Sequence, residues 1–295
     1  MWQQLAQLTV NGLISGTILA LAGVGATLVF GIQKIANFAH GEYLTTAAYI
    51  ALLANVYFGL DLVTSTAIAI AGTGLVATSI HLCVLRPLRG RGLVATSLIT
   101  VGLALMIRDL IFIVAGPEAR TFTLDQSAVY VFGPIRISPG QGLAMIVTLV
   151  ITPCVALMLA KTPLGKSMRA VAETRDLAAI SGIDVDRMAI YVWLFAGALA
   201  GLSGVMFAVV QGIFDPNMGT QSLFLIFTVV VLGGIGSAYG ALSAGIVLGL
   251  AMELSTWSGF AGGLDARFKP ILAFTVLILL LMFRPQGLFG KMRVL

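Results

Sequence analysis

Few residues in this chain can do chemistry, and their types point to recognition rather than catalysis. His40 and His81 are its only histidines, and Cys83 and Cys154 its only cysteines. None of the four has companion ligands at metal-binding spacing, and HExxH, GxSxG and paired intramembrane aspartates do not occur. No catalytic residue, metal or cofactor is therefore expected, and both cysteines read as small apolar core residues. Asn37, Phe38, Ala39, His40, Gly41 and Glu42 form a polar interruption between two apolar runs. Irregular backbone at membrane depth is tolerated only where protein or a water-filled cavity satisfies it. This segment is expected to line a solute path or its gate, with the N–H groups of a helix starting at Gly41 facing an anion. The competing reading is a short turn in which Glu42 favours the helix start and His40 caps it.

Arg108 and Asp109 fall about two-thirds of the way along another apolar run. Adjacent helical residues point in different directions, so each is expected to find its own partner, more simply as an interhelical tie than as a substrate contact. Glu253 is expected to pair with Arg267 or Lys269 at a rim. The densest charge lies in Lys161–Arg187, which holds five of the 17 Lys and Arg and four of the 12 acids. Thr162 and Pro163 are a helix start, Gly182 suits its end, and Asp184 suits the cap of the next helix. Arg169 and Glu173 stand four apart and can pair. Met168, Val171, Ala172 and Ala178 offer apolar surface to another protein. A helix lying on the bilayer is the alternative, but that would be more one-sidedly basic.

The elements holding these residues must be membrane spans. Hydrophobic residues make up 59% of the 295 and charged residues 10%, against about 25% charged in a soluble domain. The uncharged run Pro216–Met252 would be about 55 Å long as one helix, against a hydrocarbon core of about 30 Å. It must fold back, and Gly233, Gly234, Gly236 and Gly240 supply the turn. We expect one all-α integral membrane domain over residues 1–295, with about nine spans (eight to ten). They fall near 5–30, 42–59, 62–84, 92–115, 140–160, 189–212, 220–234, 237–255 and 269–283. The N-terminal stretch lacks the basic start and cleavage site of a signal peptide, so the first span is expected to be retained. With the N-terminus outside, the inner side carries twelve Lys and Arg, including Lys34, Arg86, Arg89, Arg91, Arg284, Lys291 and Arg293. The outer side carries four, a positive-inside bias. The net charge of +5 follows from that bias, so no nucleic-acid partner is expected. Gly31, Asn37 and Gly41 after the first span match Gly212, Asn217 and Gly219 after the sixth. Those spans run in opposite directions, which suggests inverted repeats with a path at their interface. Glycine and alanine stripes at 197–204 and 240–249 read as close helix packing.

Three segments carry a family resemblance. TPLGKSMRAVAETRDLAAISGIDVDRMAIYVWLFAGALAGLSGVM resembles the cytoplasmic loop and following helix of bacterial branched-chain amino acid ABC transporter permeases. GATLVFGIQKIANFAHGEYLTTAAYIA and VVVLGGIGSAYGALSAGIVLG are similar to that family's N-terminal signature and Gly-rich C-terminal motif. The resemblance implies a multi-pass bacterial inner-membrane subunit, C-terminus inside, importing branched-chain or other neutral amino acids. It implies as partners a second, related permease (a heterodimer), two cytoplasmic ATPases and an external binding protein. Pro163–Ser181 would be a coupling helix in an ATPase groove, within a loop of about 161–188. Gly165, Arg169, Ala170, Glu173, Ala178, Gly182 and Ile183 carry that role, and Asn37, Phe38, His40, Gly41, Glu42 and Asn217 the substrate path. No G-x-x-x-x-G-K-[ST] loop occurs, so ATP hydrolysis is expected on another polypeptide and this chain is not expected to be an enzyme. The loops at 116–140 and 214–221 are expected to meet the delivering protein. Urea or short amides are the alternative cargo, and an ion-coupled transporter or channel the rival class.

Overall fold

A computed structural model describes residues 2–88, 92–123, 129–259, 263, 265–284 and 286–289. All nine apolar segments fold as helices. α1 (Trp2–Gln33), α3 (Leu62–Ile80, prolonged by a π-turn to Leu85), α4 (Leu93–Ala115), α5 (Pro139–Lys161), α8 (Val185–Gln211) and α11 (Lys269–Phe283) belong to the six helical stretches long and apolar enough to cross a bilayer. The other three are short for a full span. α2 (His40–Leu52) has 13 residues and a five-residue π-turn. α9 (Met218–Gly233) and α10 (Ala238–Leu254) meet at a 120° bend and count together as at most one further full-length span. Gly234 and Gly236 make that bend at φ +96° and +86°, where a side chain would be strained. Ser237 then caps α10 by accepting the Gly240 N–H at 3.1 Å. Arg89, Arg91, Lys291 and Arg293 of the charge count lie outside the described residues.

Packing reveals the repeat. α1 and α8 form the centre, with 83% and 78% of their apolar windows buried, whereas α4 and α11 have 6% each. α1 packs antiparallel on α10, and α8 packs antiparallel on α3. Small residues let the backbones meet: a Cβ on Gly16 would lie 2.9 Å from Ile246 Cα, and one on Gly201 would lie 3.1 Å from Ile70 Cα. In lipid this closeness matters, because van der Waals contact replaces the hydrophobic effect as the force between helices. Thus α1–α4 and α8–α11 are two repeats, each clasping the other's third helix. Cys83 and Cys154 do not belong to this core; both face outward, on the bundle's surface.

Between the repeats, the chain passes through a hairpin, β1 (Tyr130–Phe132) and β2 (Ile135–Ile137), then α5 and two short helices, α6 (Pro163–Glu173) and α7 (Arg175–Ile180). The single helix expected over Pro163–Ser181 is broken at Thr174, whose extended backbone (φ −148°, ψ 102°) starts a second helix. The expected caps are present. Thr162 Oγ1 accepts the Gly165 N–H at 3.1 Å, and Asp184 Oδ1 accepts those of Asp186 and Arg187. Gly182, at φ +85°, closes α7 while Ile183 N donates to Ala178 O.

Candidate functional site

The polar interruption folds into the centre of the molecule. Asn37 Oδ1 accepts the Ala39 N–H at 3.1 Å and so turns the chain into α2. His40 is fully buried, its Nε2 bonded to Ala22 O at 3.0 Å. Phe38 N donates to Thr100 Oγ1 of α4, and its ring meets Phe227 of α9 edge-on. Gly41 touches the first turn of α9, where a Cβ on either Gly41 or Gly219 would overlap the other's backbone. Glu42 is buried beside that contact. Its Oε1 accepts from Thr220 Oγ1 at 2.7 Å and its Oε2 from Thr45 Oγ1 at 3.4 Å. Gly219 N donates to the same Thr45 hydroxyl. Two helix N-termini, both favouring negative charge, thus converge on one carboxylate. The Tyr43 hydroxyl lies near the Asn37 amide without a well-formed hydrogen bond, and its ring packs edge-on against Trp193, which stacks on His81.

The second repeat reproduces this turn, with Gly41 and Gly219 corresponding as expected but Asn37 and Asn217 not. Asp215 Oδ1 accepts the Asn217 N–H at 2.8 Å, and Met218 N donates to Asp215 O as His40 N does to Asn37 O. The counterpart of Asn37 is therefore Asp215, and Asn217 corresponds to Ala39. Sequence comparison matched residue type, whereas the backbone matches hydrogen-bond geometry. Thr45, Thr220 and Trp193 were not among the sequence candidates. Gly219 carries the one available signal, a glycine second in its helix as Gly41 is in α2.

The two loops expected to face a delivering protein are braced together. Arg120 and Phe214 exchange backbone hydrogen bonds of 2.8 and 3.0 Å, and Asn55 Oδ1 accepts from Thr123 N and Oγ1. Between them, Ala119, Gln211, Asp215, Met218 and Gln221 help to line a cavity of about 80 Å³, small beside the roughly 300–1,000 Å³ of ordinary ligand pockets. Residues 124–128 of the first loop lie outside the described residues.

Arg108 and Asp109 pair with each other rather than with separate partners. Arg108 Nε and one terminal nitrogen both donate to Asp109 Oδ1 at 3.1 Å. The long arginine side chain folds back far enough to defeat the angular separation of neighbours. Asp109 stands on the open side of α4 with 58% of its side chain exposed, whereas Arg108 is largely covered at 27%. A charge at mid-bilayer costs about 2.5–3.5 kcal/mol on insertion scales, so this face is poorly suited to lipid. Glu253 and Lys269 form the expected rim pair at 2.7 Å.

The coupling candidates divide by face. Met168 and Val171 are buried, Ala178 nearly so and Ala172 partly, so they grip this chain's own bundle and do not form the outer surface. Gly165 permits that docking, since a Cβ there would lie 2.5 Å from Met158 O and 2.6 Å from Leu159 Cα. Ala170 and Ile183 are partly buried. Arg169, Glu173 and Gly182 are exposed, and Arg169 donates to Ala160 O at 3.4 Å. The most outward large apolar groups there are Leu177 and Ile180, 61% and 84% exposed, which the sequence reading passed over. Lys34 Nζ binds Ala172 O at 2.6 Å, joining the end of α1 to α6.

Residues 8–283 match the family described as branched-chain amino acid transport system / permease component. The chain is 30% identical over 301 residues to the high-affinity branched-chain amino acid transport system permease protein BraD of Pseudomonas aeruginosa, covering 98% of this chain and 96% of that one. It is 28% identical to the corresponding LivH of Escherichia coli K12, covering 96% and 95%. It is 26% identical to the LivM permease of the same organism, covering 94% of this chain and 68% of LivM. Among solved structures, the PsaBC complex of Streptococcus pneumoniae bound to a Fab is similar in fold, with a TM-score of 0.51 over 95% of this chain and 92% of that chain at 12% identity. With the family match over residues 8–283 and the 30% identity to BraD along nearly the whole of both chains, the chain belongs to the permease-component family of branched-chain amino acid transport systems.

Proposed function

We propose that this chain is one permease subunit of an ATP-driven importer of branched-chain amino acids in a bacterial inner membrane. The carrying observation is the full-length similarity to BraD and LivH, both named for this transport. The geometry supports it in three ways. Inverted repeats meet at two helix N-termini, an arrangement suited to alternating access. α6 and α7 present exposed Arg169, Glu173, Leu177 and Ile180 as a handle for a separate ATPase. The chain's lack of a phosphate-binding loop leaves hydrolysis to that partner. A second permease of the LivM kind completes the channel, and an external binding protein delivers substrate to the braced loops at 116–123 and 214–221. The N-terminus faces outward, and the basic end with α6 and α7 faces the cytoplasm.

Reconstitution tests this. Vesicles holding this chain, its partner permease and two ATPases are expected to take up leucine only with internal ATP and external binding protein. Uptake by vesicles holding this chain alone, without nucleotide, would overturn the reading. So would labelling of residues 161–188 from the outside of intact cells.

A further inference from the structure

We propose that Arg108 and Asp109 form a station where a passage along the open face of α4 recognises the charged head of a zwitterionic amino acid. The inference rests on reading the chain as one wall of an amino-acid permease. It starts from a misfit: a nearly apolar helix, packed chiefly on α2, holds a charge pair whose carboxylate lies on its uncovered side and whose guanidinium is partly covered. Arg108 is sixteenth of the 23 residues of α4, too far in for a rim contact.

The pair is only half used. Both arginine bonds go to the same Asp109 oxygen, so among the described residues the other oxygen and the other terminal nitrogen are unengaged. A substrate carboxylate fits the planar guanidinium fork, and a substrate ammonium fits the free carboxylate oxygen. Leu105, Met106, Leu110 and Ile113 are exposed beside the pair and supply aliphatic surface for a branched side chain. Ala95, Leu98, Gly102, Leu105 and Asp109 follow one another at three- and four-residue steps along the exposed stripe, and nothing stands within 4 Å of a Cβ built on Gly102. That leaves room for solute or an opposing wall.

The energetics suit transit. An isolated charge would hold a counter-charge tightly, whereas a pair exchanges its own ion pair for two to the substrate and re-forms it on release. Conduction needs binding strong enough to enter and weak enough to leave. A recess of about 310 Å³ between α3, α5 and α8 is lined by Ile70, Cys154, Val155, Met158, Phe195 and neighbours, with no charge to read a zwitterion.

The test uses the complete transporter in vesicles, with leucine as probe. Met106→Cys, in a chain carrying Cys83→Ala and Cys154→Ala, is expected to react with a water-soluble thiol reagent, and leucine to slow that reaction several-fold. Arg108→Gln with Asp109→Asn is expected to co-purify with its partners and to transport leucine at least tenfold more slowly. Wild-type transport by this double variant would overturn the proposal. So would its failure to assemble, which would make the pair a subunit tie, or reaction of Met106→Cys with lipid-soluble reagents only. If the unaltered chain in the full assembly moves no amino acid, the functional reading fails and this proposal with it.

Discussion

Gly41 and Gly219 lie backbone to backbone where α2 crosses α9, each occupying the space that a Cβ on the other would need. They are second residues of corresponding helices, so the pseudo-twofold relating the repeats passes through their contact. Opposed movement of the repeats must pivot or part there.

A side chain at this crossing forces the helices apart. Gly41→Leu is expected to lower stability by about 1–3 kcal/mol, the usual cost of overpacking, and to reduce transport more than tenfold. Gly41→Ala and Gly219→Ala share one gap, so their combined effect should fall short of the sum. Thermal unfolding of the purified complex alongside vesicle uptake measures both.

Thr220→Val tests the carboxylate bridge. Removing the hydroxyl that donates to Glu42 Oε1 at 2.7 Å leaves a buried carboxyl oxygen short of a partner. A loss of about 1.5–3 kcal/mol is expected, with Thr220→Ser retaining most of the stability. Equal melting temperatures for Thr220→Val and the parent would show that the bond contributes nothing.

The two faces of α6 and α7 should separate genetically. Gly165→Leu is expected to unseat α6 from α5 and impair folding of the chain itself. Leu177→Ser with Ile180→Ser should leave the fold intact and weaken ATPase binding about 10- to 100-fold, the range for losing apolar anchors. Co-purification titrated with the ATPase distinguishes these outcomes.

Glu253→Gln should destabilise by about 1–3 kcal/mol, since it leaves the partly buried Lys269 ammonium without its carboxylate. Glu253→Gln with Lys269→Met is expected to recover most of that loss, because it removes the stranded charge. A double-mutant cycle on unfolding temperature reads the coupling.

Local signals in the sequence translated directly into structure. Thr162 and Asp184 cap their helices, Gly234 and Gly236 make the bend, and the Glu253–Lys269 pair forms, because each depends on near neighbours or on shared depth. Choices of face did not translate. Nothing in the spacing of Met168 and Val171 says whether their apolar stripe meets this bundle or another protein, and only the packing of Gly165 on α5 decides it. Spacing also misled at Arg108 and Asp109, where a flexible guanidinium outreaches the helical geometry. The extents of the nine apolar runs translated to within a few residues, because apolar length is local, although α2, α9 and α10 are short for a bilayer.

The unequal side chains at equivalent positions of the repeats have a further consequence. Asn37 has Asp215 as its counterpart, while Glu42 has Thr220. One half therefore carries its acid in the turn, the other in the helix that follows. A scaffold related by a perfect twofold would present the same sequence of charges to a traveller from either side. Here the two halves hold their acids at different places, so side chains distinguish what the backbone repeats.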